Sequence, residues 1–198
     1  MARAREPEVR RQLIDAAARL LADEGPAALS TRRLATEVGA STMAVYTYFG
    51  GLPELVRAVV QEGFARLAAH LDAVPVSDEP LADLAALGDA YRANALANPE
   101  LYAVMFGSAS LGGYRLHDDE LDEGRYTFDV LVAATRRVVD AGVFAPGDPE
   151  AMAAQLWSAT HGFVMLELAG YFSADREPDA ADKVLHPMLA GIVTAMLA

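Results

Sequence analysis

Residues 41–49, STMAVYTYF, hold two threonines, two tyrosines and a methionine within little more than two helical turns. On a helix Val45 and Phe49, four apart, share one side, and Thr42, Met43, Tyr46 and Thr47 fall on the other. That second face suits contact with nucleic acid. Threonine hydroxyls meet base edges or phosphates, a methionine can touch a thymine methyl, and tyrosine hydroxyls position the backbone. For Tyr46 and Tyr48 the alternative is aromatic packing onto neighbouring helices.

Arg32 and Arg33 lie in the first turn of a helix predicted to start after Ser30. Cations at that positive end of the dipole cost about 0.3 kcal/mol or more. A polyanion would reverse the sign; the alternative is that both side chains simply reach solvent. Arg3 and Arg5 could lie over phosphates as a basic arm, although a terminus without function is as ordinary.

Other chemistries lack their residues. His70, His117, His161 and His186 fall in different elements without metal-ligand spacing, so no metal is expected. The acidic run Asp118, Asp119, Glu120, Asp122 and Glu123 lacks a calcium-loop pattern and reads as a solvated helix start. Cysteine is absent, which removes thiolate metal sites and cysteine nucleophiles together. No phosphate-cradling loop and no nucleophile elbow is present. The expectation is a protein with no cofactor and no enzymatic activity.

The formal net charge of -12 and pI near 4.6 oppose nucleic-acid binding at first sight. Charge is unevenly placed, however. Residues 1–50 carry seven Arg against six acids, and the remainder nine basic residues against 22 acids. At physiological salt the Debye length is about 8 Å, so remote carboxylates are largely screened at a surface near the N-terminus. The charged first segment and the lack of an 18-residue apolar run predict a soluble, cytoplasmic chain without a membrane span.

Apolar spacing follows the helical period almost throughout, which predicts an all-α fold. The first helix is expected over 7–23, with Leu13, Ala17, Leu20 and Leu21 on one face and Gly25-Pro26 as its stop. Ser30 caps a second helix through Val38, closed by Gly39. Ser41 is read as the cap of a third helix ending before Gly50-Gly51. Pro53 opens a long fourth helix with Leu55, Val59, Leu67 and Leu71 along one side. Later helices are expected near 79–97, 99–106, 119–141, 149–172 and 179–197. The segment 107–124 is the least ordered by composition. Two domains follow: a helix-turn-helix unit over 1–52 and a larger helical bundle over 53–198.

With these residues in place, "LSTRRLATEVGASTMAVYTYFGGLPELV" resembles the TetR family of bacterial transcriptional regulators. Ser30, Leu34, Ala35, Gly39, Ser41, Val45, Tyr46, Tyr48 and Phe49 match its signature in order and without gaps. The resemblance implies DNA contacts at Thr31, Arg32, Thr42, Met43, Ala44, Tyr46, Thr47 and Tyr48. One position departs: where the family usually has a phosphate-contacting Lys at the start of the fourth helix, this chain has Leu52.

Further on, Trp157, His161 and Gly162 form a W-x-x-x-H-G run that resembles the C-terminal domain class named for Trp, His and Gly. Small-molecule pockets are mostly apolar with a few placed polar groups. Trp157, His161 and Met165 fit that mixture, and candidate lining residues elsewhere are Phe64, Leu67, Tyr91, Tyr102, Met105, Phe106, Phe128, Leu131 and Thr135. For each, ordinary core packing is the alternative. The last two helices are apolar through Leu156, Val164 and Leu168 and through Leu185, Leu189, Ile192 and Met196. The resemblance implies that they form a four-helix interface between two subunits.

The expectation is therefore a homodimeric DNA-binding regulator, a repressor released from a palindromic operator by a small-molecule effector. The alternative is a helical ligand-binding or enzymatic protein with a vestigial helix-turn-helix.

Overall fold

A computed structural model describes residues 6–107, 118–172 and 179–198. Among them lie nine α-helices and, apart from one isolated bridge, no β-structure. They are α1 (Glu6–Glu24), α2 (Thr31–Val38), α3 (Met43–Phe49), α4 (Leu52–Asp72), α5 (Pro80–Ala97), α6 (Pro99–Phe106), α7 (Asp118–Asp140), α8 (Pro149–Leu168) and α9 (Ala180–Met196). Arg3, Arg5, His117 and much of the 107–124 segment lie outside the described residues.

Packing divides the chain into two units. The first takes α1 to α4 as far as Arg66, then returns from Asn98 through α6 to Gly124. Its inner face is the one the helical period selects: Leu13, Ala17, Leu20 and Leu21 of α1, with Leu55 and Val59 of α4, are buried. α6 packs on α1, and it also lies tightly against α4, where a Cβ on Gly63 would run into the Met105 sulfur. Arg66 ties the three helices, donating to Glu62 at 2.8 Å, to Asp15 at 2.8 Å and to the Asn98 side chain at 2.9 Å. The return of α6 means that the compact units do not divide at 52/53.

In the second unit, α5 and α9 both pack against α8. Arg92 of α5 grips Glu167 of α8 through two nitrogens, at 2.8 and 2.6 Å, and reaches Asp182 of α9 at 2.9 Å. Buried Asp83 accepts from the Ser77 amide and hydroxyl and from Arg137, at 2.9, 2.6 and 2.7 Å. These bonds hold its carboxyl well below the ordinary range, at about 2. The end of α9 is stapled to the loop around buried Phe144, with Ala145 N–H on Met196 C=O and Ala198 N–H on Val143 C=O.

Two boundary expectations need correction. The residue that opens α3 is Thr42, without a side-chain cap bond, and Ser41 contributes its carbonyl to the Ala44 amide at 2.9 Å. α8 stops at Leu168, because Gly170 turns left-handed at φ 85° and Tyr171 N–H folds back to Leu166 C=O. Leu156, Val164, Leu185 and Met196 are buried within this chain. Leu168, Leu189 and Ile192 are half-buried. The most apolar stripe of an amphipathic helix is taken first by its own core.

Candidate nucleic-acid interface

α2 and α3 owe their geometry to local signals. The Ser30 hydroxyl accepts from the Arg33 amide at 3.3 Å, which satisfies one orphan donor at the start of α2. Gly39 takes φ 68°, a left-handed conformation that glycine adopts without steric cost, and so ends α2 and turns the chain towards α3. α2 and α3 pack together, and Leu34 and Val45 are each fully buried. Val45 thus anchors α3 by one face. Gly50, at φ 90°, closes the helix by donating to the Tyr46 carbonyl at 3.0 Å.

The anchored face determines what remains outside. Met43 is 62% and Tyr46 53% exposed, and Thr42 and Thr47 are exposed beside them. Large apolar side chains on a surface call for a partner when they cluster. Tyr48 is half-buried with its ring edge-on to Phe49 at 6.4 Å, and the Arg10 guanidinium sits over the Phe49 ring at 5.3 Å. Thr31 is half-buried and Ala44 is buried at the α3 anchor, so Ala44 supplies packing rather than an outward methyl.

The two neighbouring arginines differ. Arg33 is drawn back to Glu24 at the end of α1 and to Glu37 one turn along α2. The Glu24 hydrogen bond raises the Arg33 pKa, and the same contact lowers that of Glu24. Arg32 is exposed and makes no ion pair among the described residues. Sequence spacing held half of this distinction, since Glu37 stands four residues after Arg33. The Glu24 partner is visible only in space.

The expected ligand residues fall into two groups, one in each unit. In the first, Phe64, Tyr102 and Met105 are buried and Phe106 half-buried, with Phe106 ring contacts at 6.1 Å to Phe64 and 4.8 Å to Tyr102. In the second, the Trp157 indole donates to the Tyr91 hydroxyl at 3.2 Å, and that hydroxyl lies 3.0 Å from His161 Nδ1. The Tyr91 hydroxyl thus links the Trp157 indole, which can only donate, to the His161 ring. Burial lowers the His161 pKa, which favours the neutral ring. The Phe128 ring lies tilted 5.8 Å from Trp157, Leu67 and Thr135 are buried, and Leu131 is half-buried. Met165 is 41% exposed and belongs to the outer face of α8.

Two short helices locked at a glycine turn, with an exposed, mixed apolar and hydroxyl face on the second, define a helix-turn-helix protein. A model of "Bacterial regulatory proteins, tetR family" matches residues 13–59, and one of "Tetracyclin repressor-like, C-terminal domain" matches residues 84–192. The chain belongs to the TetR family of transcriptional regulators. It is 26% identical to the HTH-type transcriptional regulator Rv1816 of Mycobacterium tuberculosis, covering 87% of this chain and 86% of that one. A solved protein of unknown function from Rhodococcus sp. RHA1 superposes with TM-score 0.78 at 28% identity, covering 96% of each chain. The TetR family regulator PfmR from Thermus thermophilus shares the fold, at TM-score 0.72 and 23% identity over 92% of this chain and 97% of that one. No helix among the described residues is long and apolar enough to cross a membrane.

Proposed function

We propose that two copies of this chain bind a palindromic operator in the cytoplasm as a repressor and leave it when a small molecule binds the second unit. The observation that carries the reading is the exposure of Met43, Tyr46, Thr42 and Thr47 on a helix whose opposite side is locked by Val45. Thr42, Tyr46 and Thr47 meet base edges and backbone, Arg32 and Thr31 meet phosphate, and Tyr48 supports the α3 end.

The subunits pair through the outer faces of α8 and α9. Ala151, Gln155, Ser158, Gly162, Met165, Leu166 and Ala169 form an exposed stripe along α8 and the turn after it. On α9 the matching exposed positions are Val184, Pro187, Gly191 and Ala195. Small residues let helices approach closely, and the exposed Met165, Leu166 and Val184 supply apolar area to bury. A two-fold pair presents its two α3 helices to successive half-sites about 34 Å apart or multiples of that.

The effector is held by the Tyr91, Trp157 and His161 chain. Its combination of apolar rings with defined donor and acceptor positions supports the closer assignment to the Trp-His-Gly class of C-terminal domains. Since α4 carries the chain from the first unit into the second, ligand-linked movement of α4 would change operator affinity. A coupling of about 1 to 3 kcal/mol corresponds to about 5- to 150-fold.

The test is selection of bound fragments from random duplex DNA by the full chain, sedimentation of the complex, and a compound screen for release. The reading expects one palindromic sequence, two chains per duplex and at least one releasing compound. Absence of any enriched sequence would overturn it.

A further inference from the structure

We propose that α3 recognises thymine through its 5-methyl group, with Met43 and Thr47 as the specificity-determining residues. This rests on the DNA-binding reading above and adds the chemistry of the base.

Residues 41–49 contain no Arg, Lys, Asn, Gln, Asp or Glu. Paired contacts to guanine use a guanidinium or ammonium and those to adenine an amide, and the cytosine amine is most often read by a carboxylate. α3 has none of these groups, so the dominant hydrogen-bonding codes of the major groove are closed to it. What it presents instead is Met43, 62% exposed, and, one turn on at the i+4 position, Thr47.

Thr47 is also partly spoken for. Its hydroxyl donates to the Met43 carbonyl at 2.9 Å, so its proton is directed into the helix and its methyl remains as the group that adds to the Met43 surface. The two residues make one apolar strip on the outward face. In the major groove the apolar group on a base edge is the thymine methyl, and the minor groove offers no equivalent. A strip of this kind discriminates T·A from C·G by the presence or absence of that methyl.

The probe is the duplex recovered by selection, rebuilt with deoxyuridine replacing each thymine in turn, which removes the methyl and keeps the base pairing. The recovered half-site is expected to hold thymine at one or two fixed positions. Deoxyuridine there weakens binding by about fourfold per methyl. Met43→Ala and Thr47→Ser weaken binding to the thymine duplex similarly, and each loses the distinction between thymine and deoxyuridine at the position it covers. Met43→Leu, which keeps an apolar side chain, retains the distinction. Both residues are exposed, and thermal melting confirms that the variants remain folded.

Half-sites without a fixed thymine, tolerance of deoxyuridine at every position, or the same deoxyuridine penalty in wild type, Met43→Ala and Thr47→Ser would each overturn the proposal. Failure to retain any duplex is a different result, visible before a thymine is replaced. It removes the DNA-binding reading and this inference together.

Discussion

Arg32 and Arg33 are adjacent in sequence, yet one offers its charge outward and the other is held by Glu24 and Glu37. Arg32→Ala removes a phosphate contact and should weaken operator binding while leaving the melting temperature unchanged. Arg33→Ala should do the reverse, lowering the melting temperature slightly with little change in affinity, since its partners are surface carboxylates of the same chain. Paired measurements of melting and operator titration check both. Composition and spacing made the outward set of α3 legible, because a seven-residue helix anchored by Val45 has few ways to face. Partners far apart in the chain, such as Arg33 with Glu24 or Tyr91 with His161, leave no periodic trace and become visible only once helices are packed.

Capping chemistry decides how sharply α2 and α3 are set. Ser30→Ala deletes the acceptor for the Arg33 amide and should cost about 1 kcal/mol of stability, measured by denaturant unfolding. Helical boundaries are readable because Ser, Gly and Pro mark them for steric reasons that act locally. α8 ends short of its expected boundary because the apolar pattern continues into Tyr171 and Phe172, while Gly170 has already turned the backbone left-handed. A similar limit applies to the last two helices. Periodicity identifies an apolar stripe but cannot tell a stripe that meets its own subunit from one that meets a second; Leu156 and Val164 are buried in their own chain, and Met165 and Leu166 are exposed.

Across the whole molecule, charge separation reconciles an acidic chain with an anionic partner. Arg10 and Arg32 are exposed cations without a carboxylate partner among the described residues, and the start of α4 carries Leu52 where a phosphate-binding Lys is usual in the family. Two subunits then neutralise about four phosphates, which gives a log–log salt slope of about -4. Leu52→Lys should tighten binding and steepen the slope by about two units for the dimer, as read from titrations at several salt concentrations.

Acid stability is set elsewhere. The Asp83 carboxyl, lowered to about 2 in the folded chain, stabilises the fold above its unfolded pKa of about 4. That contribution fades as pH falls from about 4 to about 2. Asp83→Asn should therefore be less stable than wild type at neutral pH, with the difference closing over that window in pH-dependent unfolding.

The role of α3 stands or falls on one titration: the selected duplex against wild type and Tyr46→Ala at fixed salt, with melting temperatures recorded for both. Tyr46 is 53% exposed, so its removal should leave the fold intact while weakening operator binding about tenfold or more. Equal affinity of the two proteins for the same duplex would show that the outward face of α3 does not touch DNA.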